Sequence, residues 1–256
     1  MKAVTTIAAL VASTLLAGAA SAASLDYRAE YKHEDKDYAH RIKIGDSTKI
    51  FDDAAKLSLS VEQKFQSEQN DDGSQDFWNG VSRGDSEFSA TVQYKLGDGW
   101  YIEPGMPVTF GSNKTTFKPQ FRVGYTSSFG LTTALRYRHE FQNFDSSAGT
   151  TSAAGSDDKI ERAGKTIQQG KITLTGGYKF KDDLKNLKLS WEANYNHNYD
   201  NVRLANDKNW EWDAGIKLGY QFDDITPYME LWTSDYGSSA ENDRQLKTRV
   251  GIKYSF

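Results

Sequence analysis

The chain has 256 residues, no cysteine, 13% aromatic residues and a formal net charge of −4. The lack of cysteine excludes a disulfide scaffold and a thiolate metal site. Beyond residue 22 no run of about 18 apolar residues occurs, which excludes a spanning helix. A polar mean with many Tyr, Phe and Trp fits a membrane barrel, in which only alternate residues face lipid, and equally a secreted β-sandwich.

Residues 1–22 read as a cleaved signal peptide. Lys2 supplies the positive start, Ala3 to Ala20 the apolar stretch, and Ala20-Ser21-Ala22 an A-x-A cleavage site. Residues 23–256 are expected to form one exported domain.

Period-two alternation then predicts about twelve strands. They fall near 25–34, 39–47, 55–67, 84–96, 100–111, 115–126, 131–142, 168–181, 187–199, 208–222, 225–235 and 244–256. In the first, Leu25, Tyr27, Ala29 and Tyr31 oppose Asp26, Arg28, Glu30 and Lys32. In the last, Leu246, Thr248, Val250, Ile252, Tyr254 and Phe256 oppose Lys247, Arg249, Gly251, Lys253 and Ser255. Most segments reach the roughly 9–11 residues of a tilted membrane strand, whereas soluble strands cluster near five or six.

Connections alternate in length. Tight turns are expected at Gly97-Asp98-Gly99, Ser127 to Gly130, Lys181 to Asn186 and Asp223-Asp224, and long polar loops at 68–83, 143–167 and 236–243. Short periplasmic turns and longer outer loops describe an outer-membrane barrel. The 46–54 connection is too long for this scheme and 112–114 too short. Trp100, Trp191, Trp232 and Tyr236 near strand ends suggest interfacial girdles. Lipid offers backbone groups no partner, so the strand at Leu25 is expected to pair with the one ending at Phe256. The fold class is therefore all-β, a transmembrane antiparallel up-and-down barrel.

Sorting charges by strand face changes their meaning. The polar faces carry about eight more basic than acidic residues, although the chain as a whole is acidic. The candidate ligand-binding set is Arg28, Arg41, Lys43, Lys118, Arg122, Arg136, Arg138, Lys171, Lys217, Lys247 and Arg249. A basic lumen concentrates anions, and the planar guanidinium fork suits carboxylates. Neighbouring Tyr and Trp would stack on sugar rings. Lumen acids such as Glu30, Glu62, Glu140 and Glu230 would pair with part of this set. Asp71-Asp72 and Asp157-Asp158 in the loops lack the spacing of a calcium loop.

Leu25-Asp26-Tyr27-Arg28-Ala29-Glu30-Tyr31, His40-Arg41-Ile42-Lys43-Ile44-Gly45 and Arg136-Tyr137-Arg138-His139-Glu140-Phe141 resemble the oligogalacturonate-specific porin family. That family also contains an N-acetylneuraminate-inducible channel. The resemblance extends over the mature chain in length and strand layout. It implies a monomeric twelve-stranded barrel whose narrow basic pore passes acidic oligosaccharides. It carries the basic lumen over to Arg28, Arg41, Lys43, Arg136 and Arg138, and leaves the sugar open among galacturonate, alginate-derived uronates and sialic acid. Lys253-Tyr254-Ser255-Phe256 resembles the C-terminal signature read by the barrel-assembly machinery.

The expected partners are acidic oligosaccharides and outer-membrane lipid with lipopolysaccharide; no cofactor, metal or nucleic acid is expected, and no enzymatic activity. Two alternatives stand beside the channel: a closed structural or adhesion barrel, and a barrel phospholipase built around a lipid-facing His such as His139.

Overall fold

The computed structural model describes residues 23–67, 70, 75–78, 80–236 and 243–256. The expected signal peptide and the Asp71-Asp72 pair lie outside the described residues.

The chain enters through β1 (Ser24–Lys32), β2 (Asp37–Ile50), β3 (Ala55–Gln66) and β4 (Ser82–Gly97). The next two barrel strands are each broken once. β5 (Trp100–Gly105) and β6 (Val108–Phe110) flank Met106-Pro107, and β7 (Lys114–Phe117) and β8 (Gln120–Thr126) flank Lys118-Pro119. Proline has no N–H for the ladder, so regular pairing lapses there. The lapse is bridged: the Met106 N–H donates to the Ala90 carbonyl at 2.9 Å, Lys118 N–H to Pro107 at 2.9 Å and His139 N–H to Pro119 at 3.0 Å. β9 (Leu131–Phe144) follows, then a small hairpin of β10 (Thr150–Ser152) and β11 (Lys159–Glu161). β12 (Thr166–Lys179), β13 (Leu187–Asn198), β14 (Trp210–Tyr220), β15 (Ile225–Tyr236) and β16 (Asp243–Ser255) complete the wall.

All pairings are antiparallel, and the ring closes. β16 pairs with β1 from Ser24 opposite Ser255 to Lys32 opposite Lys247. The Phe256 N–H donates to the Ala23 carbonyl at 2.9 Å. Counting each interrupted pair as one strand gives a closed barrel of twelve strands, as the alternation predicts. Closure leaves no strand edge, which lipid would penalise by several kcal/mol for each unpaired group.

The connections follow the expected division with three corrections. The 46–54 connection is shorter than expected, because β2 continues through Asp46 to Ile50 opposite Ala55. Its turn is only Phe51 to Ala54, with Phe51, Asp52 and Asp53 all at positive φ. The 143–167 loop is ordered rather than merely polar. Phe144, Ala148 and Ile167 pack with Val202 beneath it, and Arg203 donates to the Ala153 carbonyl at 3.1 Å and pairs with Asp207 at 2.7 Å. Asp157, weighed for cation binding, faces Arg203 at 4.0 Å. The third loop is shorter than expected, because β15 reaches Tyr236. At the opposite rim, Gly99 has φ +83, and a Cβ there would stand 2.2 Å from the Thr126 carbonyl. Only glycine fits that turn.

The wall is inverted relative to a soluble protein. Leu135, Ile172, Ile216 and Val250 are 55, 47, 50 and 52% exposed, while Asn194, Thr173 and Glu230 are buried. This is the lipid-facing apolar band of a membrane barrel. Trp100 is exposed on this outer face, and Trp191 lies between Gly176 and Ile216 on it. Trp232, expected in a girdle, instead shares the inner face of β15 with Glu230, and Tyr236 has the same parity. The Trp232 ring lies flat on Gly215, where a Cβ would meet it at 2.3 Å. Tyr228 lies likewise over Gly251, 2.4 Å from where a Cβ would stand. Such aromatic cover of strand glycines adds side-chain packing where the glycine has none.

Replacing Gly251 by Val would force Tyr228 away and crowd the Tyr27 carbonyl, 2.7 Å from the new Cβ. The expected cost is about 1–3 kcal/mol of overpacking, read as a lower urea midpoint for barrel unfolding from lipid vesicles.

Candidate lumen site

Because strand side chains alternate, one set of residues on each strand points inward. A cavity of about 500 Å³ confirms which set it is: Arg28 and Arg41 from β1 and β2 border it together with Lys171 of β12, Asn194 of β13, Lys217 of β14 and Arg249 of β16. These strands span more than half of the ring, so the cavity is the barrel interior.

All eleven cations of the sequence-derived set lie on this inner face. They differ in what they touch. On β1, β2 and β14–β16 the charges are laced together. Arg41 pairs with Asp26, and with Glu62 at 3.5 Å. Arg249 pairs with Glu30, and with Glu230 at 3.2 Å. Glu230 also stands 3.8 Å from Arg28 and 3.4 Å from Lys217. The Tyr228 hydroxyl donates to Asp26 at 2.9 Å. Four bases (Arg28, Arg41, Lys217, Arg249) thus face four acids (Asp26, Glu30, Glu62, Glu230), and these eight charges cancel.

Further round the ring, Lys118 pairs with Glu87 at 2.9 Å and Arg122 with Glu103 at 3.0 Å. Arg138 donates to Gln120 Oε1 from Nε at 3.0 Å and from Nη2 at 2.8 Å, with Glu140 at 3.9 Å. Arg136 differs. Its Nη2 donates to Thr173 Oγ1 at 2.9 Å, and no carboxylate lies within ion-pair distance among the described residues. Thr173 in turn donates to Asn194 at 2.7 Å, and Asn194 donates to Glu192 at 2.9 Å and Asp213 at 2.7 Å. This relay links Arg136 to acids through neutral groups, so its charge is kept. Lys171 sits in register between Arg138 and Asn196. Lys43 lies between Asp26 and Glu62, and Lys247 beside Lys32 and Trp232. Among the described residues none of these three makes an ion pair within 4 Å.

The sequence reading missed how the inner aromatics are used. It assigned sugar stacking to facing Tyr and Trp in general and placed Trp232 in an interfacial girdle. Trp232 instead has Gly215 on one face and the Arg249 guanidinium 4.4 Å from its centroid on the other. Tyr228 is covered by Lys217 at 3.3 Å. Glycines on the inner faces of β14 (Gly215, Gly219) and β16 (Gly251) were the available signal. These rings carry cations rather than offering a bare stacking platform.

His139, the residue named for the phospholipase alternative, is not placed as the base of a serine hydrolase. His139 faces outward, but its Nδ1 is 3.0 Å from the Tyr137 hydroxyl and its Nε2 3.0 Å from Gln168 Oε1. Tyr199 stacks on the ring at 5.6 Å. Both nitrogens are engaged and no serine is among these partners, so the nucleophile–base pair of a serine hydrolase is absent from this site.

The sequence matches the oligogalacturonate-specific porin protein (KdgM) family over residues 16–256. The chain belongs to that family. It is 29% identical to the oligogalacturonate-specific porin KdgM of Dickeya dadantii, over 96% of this chain and 97% of the relative. It is 24% identical to the N-acetylneuraminic acid outer membrane channel protein NanC of Escherichia coli, over 91% of this chain and 90% of the relative. A solved NanC porin structure superposes with a TM-score of 0.69 at 21% identity, covering 91% of this chain and all of that one. A KdgM porin structure gives 0.57 at 21% identity, with 91% and 99% covered. The protein is therefore an outer-membrane porin.

Tyr228→Phe removes the hydroxyl that donates to Asp26 and leaves the ring on Gly251. The expected loss is about 1.5–3 kcal/mol, the usual range for a hydrogen bond to a charged group. Equilibrium unfolding in lipid vesicles measures it.

Proposed function

We propose that this porin passes acidic oligosaccharides by anion-selective diffusion, with uronates such as oligogalacturonate as the favoured class. One observation carries the reading. Arg136, Lys171, Lys43 and Lys247 face the lumen without an ion pair among the described residues, while the inward acids Glu192, Asp213 and Glu211 are already hydrogen-bonded by Asn194 and Asn196. Unpaired cations in a low-dielectric channel raise local anion concentration. Arg136 is held by Thr173.

Two relatives favour the same substrate class. One is named for oligogalacturonate and the other for N-acetylneuraminic acid, both anionic sugars, and a KdgM porin has been solved in complex with disordered oligogalacturonate. The inward cations Arg28, Arg41, Lys118, Arg122, Arg138, Lys217 and Arg249 line the same path as paired charges. Removal of residues 1–22 on export, assembly through the strand ending at Phe256, a monomeric state and contact with lipopolysaccharide belong to the same proposal.

The test is single-channel recording of the refolded protein in a planar bilayer under a salt gradient. An anion-selective conductance blocked by trigalacturonate, and not by a neutral trisaccharide, is the expected result. A cation preference, or equal block by both sugars, would overturn it. Removing two unpaired charges together, as Arg136→Ala with Lys171→Ala, should lower the anion-to-cation permeability ratio by about twofold or more. Reversal potentials of the double variant and the parent protein give that ratio.

A further inference from the structure

We propose that Glu230 sets the strength of the anion preference, acting as a fixed internal counter-ion for Arg28, Lys217 and Arg249. The inference rests on the channel reading above and assigns a positioning role that this reading does not require.

Glu230 is 5% exposed on the inner face of β15. Its carboxylate gathers cations from three other strands: Arg249 of β16 at 3.2 Å, Lys217 of β14 at 3.4 Å and Arg28 of β1 at 3.8 Å. Trp232 Nε1 donates to Oε2 at 2.8 Å and fixes the rotamer. The Trp232 ring is itself held between Gly215 and Arg249. Glu230 and its three cations border the same cavity, so its carboxylate takes up cationic groups that would otherwise meet a ligand carboxylate.

The dependence on Glu230 is unequal. Arg249 also pairs with Glu30. Among the described residues Arg28 and Lys217 make no ion pair except the one to Glu230. Neutralising Glu230 would thus release two cations into a cavity lined also by Lys171 and Lys247, and by Glu192 and Asp213, which Asn194 holds. Neutralising Glu30 would release none, because Arg249 keeps Glu230. Both changes alter the net charge by the same amount. A net-charge effect predicts equal consequences, whereas the counter-ion role predicts unequal ones.

The experiment compares Glu230→Gln with Glu30→Gln by reversal potential in a potassium chloride gradient, and by block with trigalacturonate. Gln at 230 retains an oxygen for Trp232 Nε1, and heat-modifiable migration on a gel establishes that each variant is folded. Glu230→Gln is expected to raise the anion-to-cation permeability ratio about twofold over the parent and to strengthen block severalfold, with Glu30→Gln close to the parent on both. Equal shifts in the two variants, or none in Glu230→Gln, would overturn the proposal. A parent channel without anion preference would sink the channel reading itself, while the difference between the variants still reports on Glu230. If Glu230→Gln does not fold, Arg28→Gln and Lys171→Gln provide the same test. The masked Arg28 should matter less to the permeability ratio than the unmasked Lys171, and the reverse order would overturn the proposal.

Discussion

Hydrocarbon cannot hydrogen-bond to a peptide group, and the rest of this structure depends on that fact. Every strand must find a partner on both sides, so β1 must meet β16 and the sheet must become a ring. Closure then gives every side chain one of two destinations. The outward set is Leu, Ile, Val and aromatic residues left exposed to lipid. The inward set holds charges that a soluble protein would keep on its surface. The inward placement of these charges follows from closure combined with a period-two sequence.

Inside, the deciding issue is which charges are cancelled. Where β14, β15, β16, β1 and β2 meet, acids and bases alternate closely enough to lock together. Partly buried ion pairs of this kind fix geometry more reliably than they add stability. On β9 and β12, Arg136 is held by the Thr173 hydroxyl and Lys171 makes no ion pair among the described residues. The interior thus mixes cross-linked charge pairs with cations that make no ion pair among the described residues: Lys43 and Lys247 on the laced strands, Arg136 and Lys171 on β9 and β12.

Much of the barrel was legible in the sequence because a period of two is hard to mimic. The twelve strands, the tight turns and the inward orientation of all eleven cations follow from alternation alone. What escaped depended on contacts between distant positions. Ser47 to Ile50 belong to a strand because β3 offers them a partner, although their own pattern is weak. Trp232 read as a girdle residue by its place near a strand end, but parity and Gly215 turn it inward. The pairing of Glu230 with Arg28 joins residues 202 positions apart on strands that are not direct neighbours, and no local pattern announces it. Phe144 and Ile167 marked a packed cluster under the long loop only once Val202 was brought to them.

The glycines beneath Tyr228 and Trp232 have a consequence for the shape of the passage. In a ring of fixed strand number the wall position is settled, and the clear bore is what remains after the inward side chains are subtracted. An aromatic residue beside a bulky neighbour must stand upright and narrow the opening by its length. Laid over a glycine, it narrows the opening only by its thickness. Gly215 and Gly251 therefore act as recesses in the wall, letting the barrel carry large rings without surrendering cross-section. A relative could acquire a tighter or wider passage by filling or opening such recesses, with its strand count and its charges unchanged.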